Sequence, residues 1–204
     1  GPSIGQCCGG YVQVELTLFN NGSEAYNSEK LVFSKSDQNL YIYGAGHIGQ
    51  ELAERVIGLD FNINLIDSRK EYLEMSKEKE ITKIYTKYPW MIVKNLPKDS
   101  YHIVLTHSHD FDFKIINELL NIKSFNFIGL IGSKTKRKKF NNRLDKLAYN
   151  KDLINRIECP IGLTNISSKK PSEIAISIIG RLLEYRSNQI SNKIKNKKIV
   201  NLNA

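Results

Sequence analysis

The glycine-rich segment from Gly44 to Gly49 constrains the fold more than any other part of the chain. It reads G-x-G-x-x-G, and it follows a short apolar run, Leu40–Tyr43, and precedes a helical pattern. In this setting Gly44 permits a tight turn, Gly46 lets the backbone approach a pyrophosphate, and Gly49 lets helix and strand pack closely. The pattern therefore predicts the first βαβ unit of a Rossmann-like, nucleotide-binding domain.

The predicted nucleotide site also contains His47, inside the glycine turn, and Asp67, which ends the next predicted strand. An acid about 20 residues after the glycines is expected to face the ribose hydroxyls. Aspartate there favours NAD because it would repel the 2′-phosphate of NADP. Arg69, two residues later, keeps NADP possible as the cofactor. The amide groups at the start of the helix would bind phosphate.

Strands and helices alternate through the middle of the chain. This order predicts an α/β fold, a Rossmann-like doubly wound parallel sheet covered on both faces. Pro171 begins a last helix with an apolar core stripe, and after Ser187 we expect a frayed basic tail. The predicted strands are 40–43, 61–66, 81–85, 101–106 and 125–131, and the predicted helices are 48–59, 71–79 and 111–120.

A short β segment precedes this domain. Residues 11–19 alternate apolar and polar side chains, and residues 31–33 supply a return strand after an Asn-Gly turn. The predicted divisions are a hairpin with its cysteine loop (1–36), the Rossmann-like domain (37–150), a C-terminal helical segment that completes it (151–190) and a basic tail (191–204).

Composition excludes several classes of protein. Three cysteines cannot all pair, which favours a reducing compartment and hence the cytoplasm. No apolar run is long enough to cross a membrane. The net charge is +9, but the aromatic residues do not interleave with the basic runs as they do in single-strand binders. We therefore expect no membrane or nucleic-acid partner, and an anionic small ligand suits the charge.

Cys7 and Cys8 are adjacent and lie among glycines. Neighbouring side chains on an extended backbone point opposite ways, so the two thiols are poorly placed to chelate one zinc ion. Glycine does let a backbone fold tightly around a ligand and present a thiol to it. The alternative is a glycine-rich turn that holds two small buried side chains.

Two further turns follow predicted strands and therefore lie at the ligand-binding edge of the sheet. His107 and His109, with Asp110, could bind a metal ion or handle protons, or they could simply begin a helix capped by Ser108 or Asp110.

The turn Gly132-Ser133-Lys134 begins another helix and predicts a phosphate or carboxylate cradle, with a solvated basic surface as the alternative. Cys159 lies in a rigid turn before the last helix and is expected to be buried.

Six segments, in this order, resemble the XdhC/CoxI family of xanthine dehydrogenase accessory proteins. The resemblance implies a cytoplasmic molybdenum cofactor chaperone with a Rossmann domain after an N-terminal domain, of which residues 1–36 would be a remnant. It implies two partners, the large subunit of a molybdenum hydroxylase and a cysteine desulfurase. The segments are 1–10, Gly44–Gly49, Thr106–Asp110, Gly129–Arg137 with Arg143-Leu144, Cys159–Leu163 and Pro171–Ile178.

Three functions follow as hypotheses. In the first, Cys7 or Cys8 is the metal ligand that approaches molybdenum, while Gly44–Gly49 and the Ser133/Lys134 turn hold the pterin phosphate or a nucleotide. A homodimer is a candidate assembly. In the second, the chain is an NAD(P)-dependent oxidoreductase with His107 or His109 as proton donor. In the third, His107, His109 and Asp110 serve a metal-dependent hydrolase. The predicted cofactor-binding residues are Cys7, Cys8, Gly44, Gly46, His47, Gly49, Asp67, His107, His109, Gly132, Ser133 and Lys134.

Overall fold

The computed structural model describes residues 18, 20–22, 38–166 and 168–202, with side chains as far as residue 189. Contacts divide the chain into two units, Gly1–Ser34 and Lys35–Ala204. The predicted hairpin, Cys7 and Cys8 lie outside the described residues. The sheet and the helices that cover it belong to the second unit.

The sheet of this unit has six parallel strands in the order β3-β2-β1-β4-β5-β6. The chain winds outward from β1 in one direction and then in the other, so the crossover lies between β1 and β4. This confirms the predicted doubly wound parallel sheet. The strands are β1 (Asn39–Tyr43), β2 (Asn62–Asp67), β3 (Ile81–Tyr85), β4 (Tyr101–Val104), β5 (Phe127–Leu130) and β6 (Ile157–Glu158).

The helices that connect these strands cover both faces of the sheet. None of the helices in the described ranges is long and apolar enough to span a membrane. They are α1 (His47–Arg55), α2 (Lys70–Met75), α3 (His109–Ile122), α4 (Lys134–Lys146), α5 (Lys151–Asn155) and α6 (Pro171–Leu202), with a 3-10 helix at Pro89–Asn95.

Two hydrophobic clusters form, one on each face, because side chains alternate along each strand. Leu40 and Ile42 pack with α1 and α6, whereas Tyr41 and Tyr43 pack with α3 and α4. The apolar stripe predicted for the last helix is core as expected, since its central residue Ile178 is fully buried.

The last helix is longer than the sequence predicts. Apolar periodicity ends near Ser187 and predicts a frayed tail from there, yet α6 continues to Leu202. Residues 181–202 contain neither glycine nor proline, so nothing in them stops the backbone hydrogen bonds of the helix.

Candidate functional site

The turns that follow the strands at one edge of the sheet hold most of the predicted site residues. The structure places those residues at three separate positions rather than in one pocket. Gly44, Asp67 and His107 line one crevice, His47 lines a groove beside α1, and Gly132 and Lys134 line a larger cavity.

The glycine turn after β1 is dictated mainly by packing. Gly44 has a φ of +118°, and a Cβ there would lie 2.4 Å from the Leu105 carbonyl oxygen. A Cβ on Gly49 would lie 1.9 Å from the Gly44 carbonyl oxygen. Gly46 differs, because a Cβ there would meet nothing within 4 Å. Two of the three glycines therefore serve close backbone contacts, and only Gly46 borders open space.

The Asp67 carboxylate is buried and fully engaged by groups of the chain itself. It accepts hydrogen bonds from the Ala45 amide at 2.7 Å and from the Arg69 amide at 2.9 Å. The Arg69 guanidinium donates two more, at 3.0 and 2.8 Å. Burial alone would raise the pKa of Asp67, but these hydrogen bonds outweigh it and hold the pKa below its ordinary value.

The crevice beside Asp67 is narrow. Its walls include Gly44, Pro89, Thr106 and His107, and they leave no volume that a water molecule could occupy. His107 itself is exposed and packs edge-on against Phe111, with ring centroids 5.3 Å apart.

The residues around His107 mostly begin helix α3. The Ser108 hydroxyl accepts a hydrogen bond from the Phe111 amide, which is the geometry of a helix cap. Asp110 forms an exposed ion pair with Lys114 at 2.8 Å. In the part of the chain that the structure describes, no group of three His, Cys, Asp or Glu side chains could hold a metal ion.

His47 is the exposed first residue of α1 and lines a groove of about 290 Å³. Gln50, Glu51 and Glu54 from the same helix form one side of this groove, and Met75 and the start of α6 form the other. His47 therefore lines a different cavity from Asp67, and the glycine turn borders both.

The larger cavity has a volume of about 460 Å³ and lies between the turn after β5 and the start of α6. Gly132 and Lys134 form part of its wall, whereas Ser133 caps α4 by accepting a hydrogen bond from the Lys136 amide at 3.2 Å. Its remaining wall is mostly apolar. The other lining residues are Ile131, Pro160, Ile161, Gly162, Leu163, Thr164, Ile166, Ser168, Ile174 and Ser177.

A buried ion pair beside this cavity was not predicted. The Lys136 ammonium lies 2.6 Å from the Asp112 carboxylate and donates to the Ile131 carbonyl oxygen at 2.8 Å. Asp112 also accepts from the amide and the hydroxyl of Thr106, at 2.9 and 2.7 Å. The pair thus joins the turns after β4 and β5. A Cβ on Gly132 would lie 2.5 Å from the Lys136 side chain, so this glycine makes room for it.

Cys159 is partly buried and precedes Pro160 at the cavity wall. Burial raises the pKa of its thiol, and the nearby cations Arg137 and Lys136 only partly offset that effect. The expectation that Cys159 is buried is thus met only in part, since its exposure is intermediate.

Comparisons with known proteins give consistent results. A family model described as the XdhC Rossmann domain matches residues 40–182. The protein YqeB of Escherichia coli (strain K12), described as uncharacterized, is 24% identical over 187 residues, which is 91% of this chain and 31% of YqeB. The crystal structure of a xanthine dehydrogenase from Bacillus halodurans is 26% identical with a TM-score of 0.62, over 74% of this chain and 43% of that one. The chain therefore spans less than half the length of either protein.

Proposed function

The chain belongs to the XdhC family, and from that premise we propose that it is the Rossmann part of an accessory protein that carries molybdenum cofactor. In this proposal the protein holds the finished cofactor and delivers it to a molybdenum hydroxylase of the xanthine dehydrogenase type. The hydroxylase large subunit and a cysteine desulfurase are its proposed partners, and the cytoplasm is its proposed location.

The observation that carries the proposal is the 460 Å³ cavity beside Gly132 and Lys134. Its volume lies within the range of about 300–1,000 Å³ that is usual for small-molecule sites. Apolar walls such as Ile131 and Ile161 suit the faces of a flat pterin ring.

The charge around the cavity suits the phosphate of the same molecule. Lys134 lies at the N-terminus of α4, where the helix dipole favours anions, and the first turn of α4 contains no acidic residue. A cofactor with a ring and an anionic tail would therefore find both an apolar wall and a cationic rim.

Cys7 and Cys8 complete the proposal. They lie outside the described residues, and their proposed role rests on the chemistry of molybdenum's ligands. A thiolate is a soft ligand that suits a sulfur-ligated molybdenum centre. Carriage breaks no bond, so neither His107 nor His109 needs to act as an acid or a base.

The test is retention of the cofactor by the purified full chain. After expression in a molybdenum-replete host, the pterin that denaturation releases is oxidised and measured by its fluorescence. We expect Lys134→Ala and the double variant Cys7→Ala/Cys8→Ala each to lower retention at least several-fold.

The matched control is Lys138→Ala, which removes an exposed lysine from the same helix and should retain the cofactor. Wild-type retention by Lys134→Ala would refute the cavity as the site. Wild-type retention by the double cysteine variant would refute the thiolate role alone.

A further inference from the structure

The Rossmann fold implies a dinucleotide in the crevice at the carboxyl ends of β1 and β2. We propose that this crevice in the present chain is closed to NAD and NADP, and that Arg69 takes the place of the ribose on Asp67. This inference is independent of the proposed carriage of molybdenum cofactor, since that ligand is assigned to a different cavity.

The first reason is that Asp67 has no acceptor capacity left. A carboxylate offers about four lone-pair sites. Each oxygen of Asp67 already accepts one hydrogen bond from a backbone amide and one from the Arg69 guanidinium. A ribose diol would have to displace Arg69 before it could reach the carboxylate.

The second reason is that Arg69 is held on a second side. Its guanidinium carbon lies 3.7 Å from the centroid of the Tyr72 ring. The Asp67 side chain is only 2% exposed and that of Arg69 is 26% exposed, so solvent screens the pair weakly. The planar fork of arginine gives the carboxylate two hydrogen bonds together with a full counter-charge, which a neutral ribose diol lacks.

The third reason is the lack of space beside Asp67, where two amides of the glycine turn are also engaged. Pro89, at the start of the 3-10 helix, is buried and forms one wall of the crevice. The walls leave no volume for a water molecule, whereas a dinucleotide needs a site of several hundred Å³. The Gly44 amide donates to the Ile66 carbonyl oxygen at 2.7 Å, and the Ala45 amide donates to Asp67.

Together these contacts give the glycine motif a structural role in place of a ligand-binding one. Gly44 and Gly49 allow close backbone packing. Asp67 ties the turn after β1 to the start of α2 through Ala45 and Arg69. The NAD(P)-dependent oxidoreductase hypothesis requires this crevice and so loses its binding site.

The experiment titrates the full chain with NADH and follows the nucleotide fluorescence, with the melting temperature measured in NAD and NADP. We expect wild type to show no saturable binding at millimolar nucleotide and no shift in Tm. Arg69→Ala frees the two acceptor positions of Asp67 that the guanidinium occupies, so we expect saturable NADH binding with a Kd at least tenfold below the highest concentration at which wild type shows none. Adding Asp67→Asn to that variant should abolish the gain.

Arg55→Ala is the matched control, because it removes a surface arginine paired with Glu51 and should leave NADH binding at the wild-type level. If Arg69→Ala does not fold by circular dichroism, Arg69→Lys keeps the cation without the fork and should still gain binding. Saturable binding by wild type that Asp67→Asn abolishes would overturn the proposal. Equal absence of binding in wild type and in the folded Arg69 variants would overturn the role of Arg69.

Discussion

Replacement of Lys136 by methionine tests whether the buried ion pair holds the two site turns together. Methionine keeps the packing of the side-chain stem but removes the ammonium that pairs with Asp112 at 2.6 Å. Asp112 is fully buried and Lys136 is 8% exposed, so the carboxylate would remain in the interior without its counter-charge. The variant should therefore unfold more easily than wild type.

The size of the effect follows from the contacts that remain. Removing one partner of a buried pair costs about 3–5 kcal/mol. Asp112 keeps two hydrogen bonds from Thr106, so we expect the lower end, about 3 kcal/mol in the free energy of unfolding. In a domain of this size about 1 kcal/mol shifts Tm by about 2–4 °C, which predicts a decrease of about 6–12 °C.

The assay is urea unfolding followed by circular dichroism, with wild type and two controls. Lys139→Met changes an exposed lysine on the same helix and should alter stability by less than about 0.5 kcal/mol. The double variant Asp112→Asn/Lys136→Met should recover part of the loss, because the Asn oxygen can still accept from Thr106 and no charge is left buried. A loss below about 1 kcal/mol for Lys136→Met, or no recovery in the double variant, would refute the role of the pair.

Three further predictions concern other buried positions. His102 is fully buried, and burial lowers its pKa from 6.5 to about 3. Because the unfolded chain takes up this proton first, the free energy of unfolding should be unaffected by His102 above about pH 6.5. It should decrease by up to about 1.4 kcal/mol per pH unit as the pH falls toward 3. Urea unfolding from pH 7 to pH 4 measures this slope, which His102→Phe should reduce. Gly49→Ala should destabilise the protein by about 2–3 kcal/mol, because its Cβ would meet a backbone oxygen at 1.9 Å. Gly46→Ala has open space around its Cβ and should cost less than about 1 kcal/mol in the same assay. Ser177→Ala removes the hydroxyl that accepts from the Leu163 amide at 2.8 Å, so it should lower the free energy of unfolding by about 1–2 kcal/mol and weaken pterin retention at the cavity. Unchanged stability together with unchanged retention would refute this role of Ser177.

Local patterns in the chain were enough to predict the doubly wound parallel sheet, although the short edge strand β6 was not among the predicted strands. The strand predicted for residues 81–85 has those bounds in the structure, and the stripe around Ile178 is core. Both follow from side-chain periodicity, which depends on neighbours along the chain. The glycine spacing from Gly44 to Gly49 likewise predicts the turn, because the requirement for a missing Cβ arises within a few residues.

The sites depended on contacts between distant elements. Asp112 lies on the same helix stripe as the buried residues Ile116 and Leu119. A charged residue on an apolar stripe indicates a buried partner, and this was the one sign of the ion pair in the sequence. The partner itself, Lys136, lies 24 residues further on, and no local pattern selects it from the many other lysines.

The amino-acid sequence alone determined the doubly wound sheet, its glycine turn and the resemblance to the XdhC family, because these depend on short-range spacing. Only the tertiary structure decided that Asp67 faces Arg69 instead of open space, and that Lys134 borders a cavity separate from that crevice. The physical reason is that hydrogen-bond capacity and free volume are set by which side chains meet across the fold.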